Sequence, residues 1–176
     1  MDGVVLVTGV MASGKSTVAQ ALAARLPRAA HVRGDVFRRM IVSGRAEYLP
    51  GAQDGEAEAQ LRLRYRLSAA TADAYAEAGF TAVVQDVVLG ADLAAYVELV
   101  RTRPLYVVVL APDGQTVAAR ERGRTKSGYG AWTVERLDGI LRTRTPRIGL
   151  WLDTSELTVG ETVQAIVAGR ERARVA

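Results

Sequence analysis

The sequence contains no cysteine and only two lysines, Lys15 and Lys126, among its 23 basic residues. The absence of cysteine excludes disulfide bonds, thiolate metal sites and cysteine nucleophiles, and it fits a cytoplasmic location. Aromatic residues make up only 6% of the chain, which leaves few side chains on which nucleic-acid bases could stack. The chain also lacks any run of about 20 apolar residues, so we expect no membrane span.

The length and composition predict one domain over residues 1–176. A chain of 176 residues with 49% hydrophobic residues can bury a sizeable core. The formal net charge is +4, and arginine, which supplies most of it, binds phosphates by paired hydrogen bonds. A GC-rich genome also favours arginine over lysine, so we assign a function only to arginines expected near a nucleotide.

Five apolar segments, rich in valine and leucine without strict alternation, are typical of parallel strands covered on both faces. They are residues 3–9, 29–33, 81–88, 105–111 and 148–153. Helical patterns lie between them, at residues 15–26, 35–43, 55–78, 91–102, 113–122, 131–143 and 158–174. This alternation predicts a three-layer α/β fold with a five-stranded parallel sheet. Ligands of such sheets bind at the carboxyl ends of the strands.

A phosphate-binding loop follows the first predicted strand, in the stretch GVMASGKST at residues 9–17. Its pattern of Gly, four residues and Gly-Lys-Ser is that of a P-loop, whose backbone N–H groups surround nucleotide phosphates. Gly9 and Gly14 allow the backbone to approach the phosphates closely. The amides from Ala12 and Ser13 onward face the same anion, together with the N-terminus of the next helix.

Three side chains of the loop predict the use of ATP and Mg²⁺. Lys15 is expected to bridge the β- and γ-phosphates and to offset the charge of the transferring group. The hydroxyl of Ser16 is expected to bind Mg²⁺, and Thr17 is expected to contact the α-phosphate. These roles predict the nucleotide but not the reaction.

The rest of the sequence favours a small kinase among the P-loop proteins. A GTPase carries an Asn-Lys-x-Asp motif, and neither lysine of this chain follows an asparagine. The Asp-x-x-Gly switch of GTPases is also missing after the third strand, where Asp86 is followed by VVLG. A short chain with five strands and an arginine-rich segment after the fourth is typical of kinases that act on small substrates.

The stretch VRGDVFRR at residues 32–39 follows the second strand and resembles the Gly-Asp-x-x-Arg segment of nucleoside monophosphate kinases. We expect Asp35 to accept the proton of an acceptor hydroxyl and Arg38 to bind the acceptor. The simpler alternatives are that Asp35 only caps the following helix and that Arg38 is a surface residue. The acceptor region is expected to span residues 34–80.

Two polar residues, Gln85 and Asp86, end the third strand. Gln85 is expected to line the acceptor cleft. Asp86 is expected to hold Mg²⁺ through water or to contact the acceptor, or it is a hydrogen-bonded strand-end carboxylate. Arg62 and Arg66 share one face of the predicted helix 55–78, because they are spaced i,i+4. There they could bind an anionic acceptor or face solvent.

The stretch RERGR at residues 120–124 resembles the Arg-x-x-Gly-Arg segment that opens the lid of nucleoside monophosphate kinases. The resemblance implies that Arg120 lies against the adenine and that Arg124 reaches the phosphates. We expect a short arginine-rich lid over residues 120–136, whose closure would exclude water from the reaction. The alternative is that both arginines are solvated.

The whole chain resembles the P-loop phosphotransferases of the chloramphenicol phosphotransferase type, relatives of the shikimate, gluconate and nucleoside monophosphate kinases. The P-loop, the GDVF stretch, Asp-Val-Val-Leu-Gly at residues 86–90 and the arginine-rich lid carry this resemblance. It implies transfer of the γ-phosphoryl group of ATP to a hydroxyl of a small molecule, with Asp35 as general base.

The chain departs from one relative and leaves two other functions open. The Gly-Gly-Gly stretch that shikimate kinases carry after the third strand is replaced by VVLG, which argues against shikimate. One alternative is a kinase of polynucleotides, nucleosides or nucleotides. The other is a nucleotide-binding ATPase module without a small-molecule acceptor.

Overall fold

A computed structural model describes residues 1–47, 55–123 and 132–175. Its strands are β1 (Val4–Gly9), β2 (Ala29–Arg33), β3 (Thr81–Gln85), β4 (Leu105–Leu110) and β5 (Leu150–Leu152). They form one sheet in the order β2-β3-β1-β4-β5, and every neighbouring pair is parallel. The predicted α/β fold with a five-stranded parallel sheet is therefore confirmed.

The described residues also form eight helices. They are α1 (Lys15–Arg25), α2 (Gly34–Arg39), α3 (Gly55–Glu77), α4 (Asp92–Leu99), α5 (Gly114–Arg122), α6 (Val134–Arg144), α7 (Val159–Ala168) and α8 (Arg170–Ala173). Among them none is both long and apolar enough to cross a membrane.

Three helices end earlier than their sequence patterns predict, and the first of them is α2, which ends at Arg39 instead of residue 43. After α4, the carboxylate of Asp73 accepts hydrogen bonds from the backbone N–H groups of Arg101 and Thr102, at 3.2 and 2.9 Å, and these bonds hold the chain out of the helix. The predicted C-terminal helix is divided at Gly169, which packs so closely against Leu150 that a Cβ atom would lie 2.7 Å from its Cδ2.

The core lies on both faces of the sheet, because successive side chains of a strand point to opposite sides. Val4 and Leu6 of β1 belong to the larger cluster, and Val5 and Val7 belong to the smaller one. The larger cluster includes buried residues of α3, α4, α5 and α6, and the smaller one includes residues of α1 and α7. The molecule therefore has three layers, as predicted.

The strand register brings the predicted site residues to one edge of the sheet. Val7 of β1 pairs with Gln85 of β3, and Gln85 pairs in turn with Arg33 of β2. The chain then continues from β1 into the P-loop and from β2 into Asp35. The P-loop, the end of β3 and the start of α2 are consequently neighbours.

Candidate functional site

The P-loop turns sharply between β1 and α1. Gly14 caps α1 with a left-handed backbone (φ 93°), and Ala12 has a φ of 60°. A side chain at Gly9 would crowd the Ser13 hydroxyl, since a Cβ atom there would lie 2.8 Å from Oγ. Glycine at position 9 therefore allows the loop to fold back over the end of β1.

The side chain of the loop lysine folds back onto the backbone of the P-loop. Lys15 is buried, and its Nζ donates a hydrogen bond of 2.6 Å to the carbonyl oxygen of Val10. The Ser13 hydroxyl is buried without a hydrogen-bond partner among the described residues. A bound anion would satisfy such a donor, so the loop has the chemistry of a phosphate site.

Ser16 and Gln85 lie directly against each other. The Ser16 hydroxyl donates a hydrogen bond of 3.1 Å to Oε1 of Gln85. Gln85 was expected in the acceptor part of the site, and the structure places it next to the side chain expected to bind Mg²⁺. An amide thus stands at the end of β3 that faces the P-loop.

Asp86 faces away from the P-loop and forms a buried ion pair with Arg64 of α3. The Asp86 side chain is fully buried, and that of Arg64 is 16% exposed. The guanidinium donates from Nε to Oδ2 at 2.8 Å and from Nη2 to Oδ1. The backbone N–H of Val87 also donates to Oδ1, at 2.7 Å. Both carboxylate oxygens of Asp86 therefore accept hydrogen bonds from protein donors in this structure.

Gly34 provides the space for that carboxylate. A Cβ atom at position 34 would overlap Oδ2 and Cγ of Asp86 and would lie 3.0 Å from its Cβ. The buried ion pair therefore requires a residue without a side chain at the start of α2. It joins β2, α2, α3 and the end of β3 at one point.

The segment after β3 is fastened by hydrogen bonds to its neighbours. The Thr8 hydroxyl donates to the carbonyl of Val88 and accepts from its N–H, both at 2.9 Å. The Tyr65 hydroxyl donates to the carbonyl of Val87 at 2.9 Å. The Thr145 hydroxyl accepts from the N–H of Gly90 at 2.8 Å. These bonds hold the backbone on which Asp86 lies.

Asp35 lies in the first turn of α2, and it does not cap the helix. Arg33 occupies the N-cap position and no side-chain cap bond is formed, so the alternative that Asp35 is only a helix cap is wrong. Oδ2 pairs with Arg39 at 2.9 Å, and Oδ1 lies 3.7 Å from Nε of Arg33. Oδ1 is buried and makes no hydrogen bond among the described residues, whereas the Asp35 side chain as a whole is 43% exposed.

Arg120 reaches the P-loop from α5. Its Nη2 donates a hydrogen bond of 2.9 Å to the carbonyl of Thr154, and its Nη1 lies 4.0 Å from the position of a Cβ atom on Gly14. Arg124, the other predicted lid arginine, lies outside the described residues, as does the rest of the segment 124–131.

A cleft of about 960 Å³ connects these groups. The predicted site residues that line it are Ala12, Gly14, Lys15, Ser16, Thr17, Asp35, Arg38, Gln85 and Arg120. Gly9, Ser13 and Asp86 are buried behind its surface. The cleft thus brings the P-loop together with a second group of lining residues, Asp35, Arg38 and part of α3, which we call its acceptor end.

The sequence interpretation missed Arg64 and considered its neighbours instead. Arg62 is exposed and pairs with Glu58 on the same helix, whereas Arg64 lines the cleft. The buried residues of α3 repeat at helical spacing, among them Ala57, Ser68 and Ala72. Position 64 lies four residues before Ser68 on that inward stripe, and this spacing was the available signal.

Burial also changes two ionisable groups of the cleft. Desolvation raises the pKa of Asp92 above its ordinary value, and it lowers the pKa of Arg64. The described residues contain no cluster of three or more histidine, cysteine, aspartate or glutamate side chains arranged to hold a metal ion.

Several solved structures share the fold of this chain. A sugar kinase from Janibacter sp. HTCC2649 is 19% identical with a TM-score of 0.73, and the match covers 98% of this chain and 96% of the other. The APS kinase of Mycobacterium tuberculosis in complex with AMPPNP and APS is 18% identical with a TM-score of 0.68, over 97% and 98% of the two chains.

A third similar structure is the tunicamycin resistance protein of Deinococcus radiodurans. It is 15% identical with a TM-score of 0.67, and the match covers 100% of this chain and 99% of the other. At such low identities, the structural similarity shows a common fold and no more. No curated protein matches the chain at the level of sequence.

The sequence model of a protein family described as AAA domain matches residues 4–147, from β1 through the P-loop and the cleft to the end of α6. This range covers most of the 176 residues. The chain therefore belongs to this AAA domain family, and its fold is that of the P-loop small-molecule kinases.

Proposed function

We propose that the protein transfers the γ-phosphoryl group of ATP to a hydroxyl group of a small molecule, with Mg²⁺ as cofactor. The observation that carries this proposal is the shared cleft, which is lined both by residues of the P-loop and by Asp35. A carboxylate at that position can act on an acceptor while the P-loop holds the donor.

The chemical step is an in-line transfer between bound substrates. Asp35 accepts the proton of the acceptor hydroxyl while the oxygen of that hydroxyl forms a bond to the γ-phosphorus. The bond between the γ-phosphorus and the β,γ-bridging oxygen breaks, and ADP leaves with that oxygen. Lys15 and Arg120 stabilise the negative charge of the transferring group, because both line the P-loop end of the cleft.

The residues around Ser16 fit a magnesium ion. Gln85 accepts the hydrogen of the Ser16 hydroxyl, which leaves the oxygen lone pairs of Ser16 for a cation. Mg²⁺ at this position would neutralise charge on the β- and γ-phosphates. Asp86 is held by Arg64, so we assign it to the structure of the acceptor side and not to the metal.

Asp35→Asn tests the role of the general base. We expect loss of phosphoryl transfer, measured as acceptor-dependent ADP release, while the affinity for an ATP analogue stays within about threefold, because only a proton acceptor is removed. Asp138→Asn is a matched control, since Asp138 pairs with Arg142 at the same i,i+4 spacing as Asp35 with Arg39. Equal turnover in both variants would overturn the assignment of Asp35.

Lys15→Ala tests the donor site separately. We expect turnover to fall by about 100-fold or more, because charge stabilisation at the phosphoryl group is lost.

ADP release across a panel of antibiotics, sugars, nucleosides and oligonucleotides then identifies the acceptor. Slow ATP hydrolysis that no acceptor stimulates would favour an ATPase module instead.

A further inference from the structure

The cationic side chains that line the cleft fall into two groups. Lys15 and Arg120 lie beside the P-loop, where the phosphates of ATP are expected. Arg38 and Arg64 belong to α2 and α3, at the acceptor end. Only the second pair lies where it could select the acceptor molecule by its charge.

Both acceptor-side arginines already have carboxylate partners. Arg38 donates from Nη2 to Oε1 of Glu47. Arg64 donates to both oxygens of Asp86, which is completely buried. Removing one member of a buried ion pair leaves an uncompensated charge. An anionic acceptor would have to compete with these carboxylates for the arginines.

Two further carboxylates line the same end of the cleft, namely Asp35 and Asp92. Asp35 is paired through Oδ2 with Arg39, whereas burial raises the pKa of Asp92. Among the described residues that line this end, Arg38 and Arg64 stand against Asp35, Glu47 and Asp92, so the lining itself has no surplus of positive charge. A carboxylate or phosphate group placed there would be poorly compensated.

Much of the remaining wall is apolar. The side chains that both line the cleft and pack against the larger core cluster include Phe37, Leu61, Leu89, Trp132 and Ile140. They come from α2, α3, the segment after β3 and the region of α6. Such surfaces bind apolar groups by removing them from water.

We infer that the acceptor is an uncharged hydroxyl compound with a largely apolar body, because the acceptor end of the cleft combines neutralised arginines with an apolar wall. This inference rests on the proposed kinase function. Within that function it excludes sugar acids, nucleotides and other anionic acceptors.

The first experiment compares acceptors that differ only in charge. Suitable series are benzyl alcohols and 2-phenylethanols that carry a para methyl, carboxylate or aminomethyl group, because each series keeps one apolar body and one hydroxyl group. We expect acceptor-dependent ADP release to be at least tenfold faster, as kcat/KM, for the neutral member of each active series. A faster reaction with the anionic or the cationic member would overturn the inference.

The second experiment does not depend on turnover. The P-loop is saturated with a non-hydrolysable ATP analogue and Mg²⁺, and binding of inorganic phosphate is measured by calorimetry at constant ionic strength, because screening would otherwise vary. Glu47→Gln frees Arg38, and Asp86→Asn frees Arg64 with little change of shape. Glu171→Gln is the matched control, because it frees Arg170 on α8, and neither residue lines the cleft.

We expect wild type and Glu171→Gln to bind phosphate equally weakly and the two acceptor-side variants to bind it at least tenfold more tightly. The gain should be larger for Asp86→Asn, because charges interact more strongly where water is excluded. If Asp86→Asn does not fold, the test rests on Glu47→Gln, which should fold because the Arg38–Glu47 ion pair is half exposed. Equal binding by all variants would overturn the inference, as would tight binding by wild type that Arg38→Met abolishes.

The two experiments separate the failure of the inference from the failure of the proposed function. If no acceptor stimulates ADP release although the ATP analogue binds, the kinase proposal fails. The phosphate measurements still decide whether the cleft rejects anions. If transfer occurs to the para-carboxylate alcohols and not to the para-methyl ones, the kinase proposal stands and the charge inference is wrong.

Discussion

Gly34→Ala is the substitution whose effect follows most directly from the structure. A methyl group at position 34 cannot coexist with the Asp86 carboxylate, whose Oδ2 and Cγ occupy that space. Asp86 cannot simply rotate, because Arg64 and the N–H of Val87 hold its oxygens. We therefore expect the methyl group to break the buried ion pair.

The expected magnitude is a difference between two terms. Disrupting a buried ion pair costs about 3–5 kcal/mol. Alanine is favoured over glycine in a helix by up to about 1 kcal/mol. We expect Gly34→Ala to lower the free energy of unfolding by about 2–5 kcal/mol, the difference of these terms.

Gly139→Ala provides the matched control for helix propensity. Gly139 lies within α6, and a Cβ atom there would meet nothing within 4 Å. This variant should be as stable as wild type or up to about 1 kcal/mol more stable. The free energies are obtained from urea denaturation by linear extrapolation.

A double-mutant cycle tests the cause of the loss. In an Asp86→Ala background the carboxylate is absent, so most of the penalty of Gly34→Ala should disappear. The reasoning is refuted if Gly34→Ala is as stable as Gly139→Ala. It is also refuted if the cost is unchanged in the Asp86→Ala background, because the clash would then not involve the carboxylate.

Three further outcomes follow from single contacts. Arg120→Leu should weaken binding of an ATP analogue by about tenfold in calorimetry, because a charged donor beside the P-loop is lost; an unchanged Kd would contradict its placement at the nucleotide. Burial raises the pKa of Tyr96 to about 12, while an unfolded tyrosine ionises near 10. The neutral phenol therefore stabilises the fold fully below pH 10, and about 3 kcal/mol of this stability is lost between pH 10 and 12. Urea denaturation of Tyr96→Phe should lack this slope. Thr158→Ala removes the capping box of α7 and should lower the free energy of unfolding by about 1 kcal/mol, whereas no change would show that the cap is dispensable.

The strands and the P-loop could be predicted from the sequence because their signals are local. Buried parallel strands need continuous apolar residues, and the P-loop needs glycines at fixed spacing before a helix. The ends of elements were harder to predict. The end of α4 depends on Asp73, which lies 28 residues before Arg101, so no local pattern around α4 indicates it.

The acceptor side shows the limit of a local pattern most clearly. Arg62, Arg64 and Arg66 are the same residue type, and all three lie on α3, a helix that the sequence pattern predicts correctly. Which of them reaches the cleft depends on the face that α3 turns towards the sheet. The packing of Tyr65 and Ser68 into the interior selects Arg64.

By itself, the sequence determined the α/β order, the phosphate loop and the presence of Gln85 and Asp86 at the end of a strand. Only the tertiary structure decided which of these two faces the P-loop. Consecutive side chains at a strand end point to opposite sides, and the pairing of Gln85 with Val7 turns Gln85 towards Ser16. Asp86 is thereby directed to Gly34 and Arg64, where it neutralises a charge instead of facing the P-loop.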